Sequence, residues 1–396
     1  MPTKFNSNSL KEARRSRKLS IADVSHFTRI SEGSIRKFEE DEKLPSVIQV
    51  EKLAALYNSS LFTFFSEGRF EAPDSLTDFR KANLGSANVS PKGLMKIWSA
   101  ENSGTFLADL LSALGRNRPK TKSFARITNL KKPDSSELRT AFDDWSASHT
   151  QTLKIQGSDE ERFIKLFRYF LEIHGCRTIF NSAPLEDFLG FFTDNQRRVE
   201  TIFVNREIGN LKRKVFTFAH EAAHMIYDLE GISDPFVATN TIEKKCNRFA
   251  GDFLAPEVEI LRLIDKLPRA TLVDPIRLIS AVSKATLLSR QAAALRLKDL
   301  DVISASQTRN FFAHLSTLRR IVEIEAPKVQ RAPMGRNAVI GKKLNEIGIF
   351  AAKTASAALK YKLVDEVEIQ RGLGISLAIQ KDVLELGERK FDLSAD

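Results

Sequence analysis

The segment His220-Glu221-Ala222-Ala223-His224 constrains this chain more than any other stretch of it. Two histidines four apart on a helix project from one face, so both imidazoles can reach one metal ion. Glu221, next to the first, is placed to reach a water bound at that ion. The neighbours Val215, Phe216, Phe218, Ala219, Met225 and Ile226 predict a helix over 214–228 that is buried in a core. That setting disfavours a reading as two surface histidines. A buried metal helix needs a domain around it, and 396 residues allow two or three domains. With 42% hydrophobic and 28% charged residues the chain has the balance of a globular protein, which excludes a disordered or collagen-like one.

A catalytic zinc site takes three protein ligands and keeps one position open. Downstream of His224 the candidates for the third are Asp228, Glu230, Asp234, Glu243, Cys246 and Asp252. Asp228 lies one turn past His224, and three ligands from one straight helix are hard to converge. Glu243 is favoured: it begins a second apolar helix, 242–253, after a connection long enough to let that helix pack alongside the first. Asn247, one turn on, is placed to orient a ligand. Cys246 is a fair ligand chemically, yet packing between helices is the expected job of a small residue there. A side chain that stabilises an oxyanion is also expected, with Tyr227 and His314 as candidates. His26, His149 and His174 read as ordinary surface or core residues.

Residues 20–41 carry a second signal. Ser20 and Ser31 stand where helix N-caps belong, each just before an apolar-periodic stretch. Val24, Phe27, Ile30, Ile35 and Phe38 are spaced so that two short helices bury one small core, with Ser25 small enough for a close crossing. This is the pattern of a helix-turn-helix, whose second helix, capped by Ser31, would present Glu32, Ser34, Arg36 and Lys37 to a major groove. Lys11, Arg14, Arg15, Arg17 and Lys18 are available to phosphates, and Ser46 opens a further helix with Val50, Leu53, Ala54 and Leu56. A formal charge of +11 agrees with a polyanionic partner, here an operator in double-stranded DNA.

The rest of the chain divides by composition. Residues 1–68 read as the helix-turn-helix domain, and 69–150 as a basic helical connector. That connector holds Arg116, Arg118, Lys120, Lys122, Arg126, Lys131 and Lys132 without an intervening acid, a run that reads as solvated surface. Residues 151–262 form the metal domain. It has a helix over 161–173 and strand-like runs over 177–180 and 201–204, split by a loop with Pro184 and Gly190. Two short helices over 277–282 and 289–297 fall in a small continuation, 263–305, and 306–396 is helical without a motif. Cys176 and Cys246 cannot supply a disulfide framework, which points to a reducing cytoplasm. No run approaches the length of a membrane span, and the start lacks an apolar leader.

Residues 8–66 resemble the XRE family of phage-repressor-like DNA-binding domains, through Ile35 and Glu39, Pro45-Ser46 and Leu53-Ala54. Arg29 and Asp41 stand where that family has glycines, at positions that call for positive φ. The metal segment resembles the ImmA/IrrE family of zinc metallopeptidases. The matching residues are Gly190-Phe191, Ile202-Phe203-Val204-Asn205 and Phe216-Thr217 before the metal helix, then Glu243, Asn247, Phe249-Ala250 and Leu254-Ala255-Pro256 after it. Asp78-Phe79-Arg80 looks like a motif that accompanies such fusions, and 283–297 resembles the family's helical continuation. The resemblance implies zinc ligands at His220, His224 and Glu243, and a general base at Glu221. It implies a mainly α, α+β fold: a five-helix XRE-type helix-turn-helix, a zincin-like core with a small sheet, and a helical C-terminal region.

The expected function is a homodimeric, DNA-bound regulatory protease that cuts a repressor, an antitoxin or itself. The alternative is a repressor or antitoxin, paired with a cognate toxin, whose metal domain senses or binds a partner without cleaving.

Overall fold

The computed structural model describes residues 5–17, 19–57, 59, 61–65, 89–116, 123–128, 134–194, 199–228, 231–233, 241–321 and 335–395. It divides into two compact units, Met1–Ser99 and Ala100–Asp396. The Asp78-Phe79-Arg80 motif, Glu230, Asp234 and most of the basic run lie outside the described residues. Among the described residues no helix is long and apolar enough to cross a membrane.

The first unit contains α1 (Ser7–Ser16), α2 (Ile21–Thr28), α3 (Glu32–Glu39), α4 (Val47–Tyr57) and a 3-10 turn, Leu61–Phe64. Among the described residues of 1–68, four α-helices and that turn make up the expected five-helix domain. Side-chain caps begin these helices where the sequence places serines. Ser20 forms a reciprocal box with Asp23, Ser31 accepts from the Ser34 amide, and Ser46 accepts from the Gln49 amide while Gln49 returns the bond. Val24, Ile30, Ile35, Phe38, Val50, Leu53, Ala54 and Leu56 are all buried in one core, and Phe27 packs at its margin. Arg29 and Asp41 hold φ of 60° and 61°, the left-handed turns that the missing glycines would have made easier. Two of the arginines offered to phosphates point inward instead. Arg14 forms a bidentate pair with Glu39, and Arg17 donates to the Tyr57 carbonyl with its guanidinium over the Trp98 ring.

Helix α5 (Pro91–Ala113) crosses the division between the units. The second unit continues with α6 (Ser123–Thr128), α7 (Ser135–Thr152) and α8 (Asp159–Ile173), then β1 (Arg177–Asn181), β2 (Gly190–Thr193) and β3 (Thr201–Asn205). Next come α9 (Leu211–Tyr227), β4 (Gly231–Ser233), α10 (Thr241–Leu254), α11 (Glu257–Ile264), α12 (Arg269–Leu272), α13 (Pro275–Ala285), α14 (Arg290–Asp299) and α15 (Ala305–Ile321). The chain ends in α16 (Arg336–Ile347), α17 (Ile349–Lys360), α18 (Glu366–Leu373) and α19 (Leu377–Ala395). The strands form one sheet in the order β1-β3-β2-β4. The β1–β3 pair is parallel, whereas β2 is antiparallel to both β3 and β4.

Helix α9 packs on β2 and β3, and α10 packs on α9, within an aromatic core. Phe142, Phe163, Phe167, Phe218 and Phe253 surround them, and Phe167 lies 5.0 Å from Phe218 and 4.9 Å from Phe253 between ring centres. Residues Leu138 and Phe142 of α7, from the segment read as a connector, belong to that core. Arg126, from the basic run, bonds the His174 carbonyl and Glu200.

A second core holds α16, α17 and α19 against α5 and the β1 side of the sheet. Its anchor is a buried polar cluster. Arg168 donates to Glu172, to Thr178 and to the Leu344 carbonyl, Glu172 accepts from the Phe350 amide at 2.7 Å, and Arg177 donates to the Ile347 carbonyl at 2.8 Å. Gly348 fits between them at φ 97°, where a Cβ would lie 2.8 Å from Glu172 Oε2. Replacing Glu172 by Ala leaves the buried Arg168 charge without its carboxylate and the Phe350 amide without its acceptor. We expect a loss of about 3–5 kcal/mol in urea unfolding of the second unit. Hydrogen exchange should show protection lost first in α16 and α17.

Candidate metal centre

Helix α9 starts at Asn210, whose side chain accepts from the Arg213 amide, and ends at Asp228 in the left-handed conformation at φ 55°. That cap turns the chain away one residue after Tyr227 and takes Asp228 out of the ligand set. His220 and His224 both face inward, 5% and 1% exposed, and their Nε2 atoms are 3.2 Å apart. Glu243, from the first turn of α10, completes the group: its two carboxylate oxygens lie 3.1 Å from His220 Nε2 and 3.2 Å from His224 Nε2. Among the described residues this is the one cluster of three such groups able to hold a metal ion. Tetrahedral zinc with ligands at 2.0–2.2 Å separates its donors by about 3.3–3.5 Å, so the spacing and the N, N, O donor set both fit zinc.

Each donor is oriented by a further contact. Asn247 Oδ1 lies 2.9 Å from His220 Nδ1, so the ring donates there and turns Nε2 to the centre. Burial works against the charged Glu243 carboxylate, but hydrogen bonds from His220 and His224 outweigh it and hold its pKa at about 2. His224 is disfavoured as a cation by burial, yet Cys246 and Glu243 together hold its pKa well above the ordinary value. Cys246 is thus a buried neighbour of the cluster, and its thiol is pushed up by burial.

Glu221 is fully buried, one residue beyond His220. It reaches the sheet at β2, where Gly190 leaves room for it: a Cβ on Gly190 would fall 2.7 Å from Glu221 Oε1 and 2.9 Å from the Phe203 carbonyl. The loop before β2 is held by Asn205 at the end of β3. Its side chain donates to the Ala183 and Phe188 carbonyls and accepts from the Ala183 and Glu207 amides. A four-residue strand offers too short an alternation to mark Gly190 by residue pattern, and only the family resemblance of Gly190-Phe191 points to it; the steric role of its missing side chain comes from the fold.

Residues 171–298 match the peptidase family model described as the IrrE N-terminal-like domain, and residues 10–64 match a helix-turn-helix family model. The chain fuses a helix-turn-helix to an IrrE-like domain. No curated protein and no solved structure gives a significant match. The IrrE-like segment begins within α8 and ends within α14, so it contains the His220, His224 and Glu243 cluster, Glu221 and Asn247.

The other candidates are accounted for by different contacts. Asp252 pairs with Arg296 on α14. Tyr227 packs edge-on against Phe249 with Lys245 Nζ 3.8 Å from its ring centre, and His314 is exposed on α15. In the helix-turn-helix, Ser31 caps α3, Ser34 is half-buried, and Glu32, Arg36 and Lys37 are exposed, with Glu32 and Arg36 3.7 Å apart.

Two outcomes follow for metal binding. A metal needs the neutral His224 ring, whose pKa is raised in the metal-free site, so zinc uptake at pH 7 should release about one proton or more per ion. Its affinity should fall as pH is lowered, and calorimetry in buffers of different ionisation heat measures both. Asn247→Ala should weaken zinc binding by about 10–100-fold with the fold retained.

Proposed function

We propose that this chain is a transcriptional regulator that binds an operator in double-stranded DNA and hydrolyses a peptide bond in a repressor, an antitoxin or itself. The observation that carries the reading is the convergence of His220, His224 and Glu243 beside Glu221 in the IrrE-like domain. His220, His224 and Glu243 hold zinc, and Asn247 fixes the His220 ring. Bound zinc supplies Lewis-acid polarisation of a carbonyl and activation of water. Glu221 takes the proton of the attacking water and returns it to the leaving amine. Its place one residue beyond His220, against Gly190 of β2, sets the carboxylate beside the cluster for this role.

In the helix-turn-helix, Ser31 and Ser34 at the start of α3 and the exposed Glu32, Arg36 and Lys37 form the DNA-reading face. Two copies of the chain read paired half-sites as a homodimer. The protein acts in the cytoplasm. A second reading, a repressor or antitoxin whose metal domain senses a partner without cleaving it, is favoured by one observation: Glu221 and His224 are closed off from solvent.

Glu221→Gln separates the two. It should keep its zinc and its DNA binding while cleavage of the partner falls by at least about 100-fold. Equal induction of the target genes by wild type and Glu221→Gln would sink the protease reading. For the DNA face, Lys37→Ala should reduce the salt dependence of binding by about one counterion across all sequences. Gel-shift titrations at several salt concentrations measure that slope.

A further inference from the structure

The pair of Arg14 with Glu39 ties α3 to α1 and is turned inward, with the Glu39 side chain 4% exposed. A second pair on α3, Glu32 with Arg36, lies on the outer side. Its side chains are 49% and 58% exposed, four residues apart, with 3.7 Å between Glu32 Oε2 and Arg36 Nη2. An exposed pair of this kind adds little to stability. Gly33 is exposed next to Glu32, and among the described residues a Cβ there would meet no neighbour within 4 Å. A glycine in a helix is destabilising relative to alanine, and no close neighbour calls for this one. The first two turns of α3 thus carry a carboxylate, a guanidinium and a bare backbone position that the packing of the first unit does not use.

Phosphates alone would favour cations on such a face, and they repel Glu32. A carboxylate only accepts hydrogen bonds, so in a major groove it is satisfied by an exocyclic amino group, cytosine N4 or adenine N6. The arginine fork is satisfied by two neighbouring acceptors, which guanine presents at O6 and N7. With their tips 3.7 Å apart, Glu32 and Arg36 reach one place. A C·G pair offers the amino donor and the double acceptor together, whereas an A·T pair lacks the double acceptor.

We propose that Glu32 and Arg36 act as one reading pair for a C·G base pair in the operator half-site, the carboxylate taking the cytosine amino group and the guanidinium the guanine O6 and N7. Gly33 lets the first turn of α3 approach closely enough for both to reach. Free of DNA, the two groups face each other and stay extended over the same patch. The inference rests on the DNA-binding reading above and adds which base pair the helix specifies.

The test uses the full chain and double-stranded DNA. A preferred site is selected from a randomised duplex library, and relative affinities are then read by competition gel shifts at one salt concentration. The selected half-site should contain a C·G pair whose exchange for T·A weakens wild-type binding by about tenfold or more. That penalty should shrink in Glu32→Ala and in Arg36→Ala and be lost when both are replaced. Thermal melts matching wild type check that these exposed substitutions leave the fold intact. Modified bases at the pair separate the two contacts. N4-methylcytosine should weaken wild type and Arg36→Ala but spare Glu32→Ala, and 7-deazaguanine should weaken wild type and Glu32→Ala but spare Arg36→Ala. The proposal is overturned if the two variants relax preference at different base pairs or at none, and equally if either modified base weakens every form alike. A chain that binds duplex DNA with no selected preference overturns the reading pair and leaves DNA binding standing. A chain that binds no duplex at all sinks both.

Discussion

Two imidazoles and two carboxylates sit in the middle of an aromatic core, and the rest of the second unit is arranged around the problem they pose. A lone ionised group in such a place is heavily disfavoured. Here the groups answer one another, since Glu243 spans both histidine rings and Asn247 holds the far side of His220. This requires α9 and α10 to meet closely, and the alanines at 219, 222, 223 and 250 among the buried residues leave the space to do so. Phe167, Phe218 and Phe253 then wall the pair in. A metal ion entering the cluster would replace a set of mutual contacts already made, so the protein is shaped for it in advance.

Much of this was legible in the sequence because the controlling signals are local. Two histidines at helical spacing, the apolar neighbours that bury them, and the capping serines at 20, 31 and 46 each act over a few residues. Glu243 was legible one step further out, because it opens the next apolar helix. The two helices expected over 277–282 and 289–297 are present as α13, longer at both ends, and α14, which starts one residue later and ends two residues further on. What escaped depends on groups far apart in the chain. Arg14 and Arg17 look like surface cations until Glu39, the Tyr57 carbonyl and Trp98 are brought to them. Arg126 likewise lies in a run of positive charge and is drawn inward by Glu200. Gly231–Ser233 carries no alternation to read, and its strand is known from its pairing with β2.

The first unit shows how far a local rule can bend. Arg29 and Asp41 take the left-handed conformation although each carries a side chain. The amide of Arg29 still closes on the Ser25 carbonyl, so the turn that a glycine favours is kept. Burial of Val24 before that turn and Ile30 after it fixes the path, and the backbone follows at some conformational expense.

The buried cluster of Arg168, Glu172 and Arg177 limits how freely the parts of the chain can be exchanged. The IrrE-like match ends at residue 298, yet the carbonyls and amide that satisfy these charges belong to residues 344–350. A chain that kept the matched domain but carried another tail would keep Glu172 and Arg177 without the Phe350 amide and the Ile347 carbonyl that they bond here. Residues 344–350 are therefore tied to the β1 side of the core, and change on either side of that seam must be matched on the other.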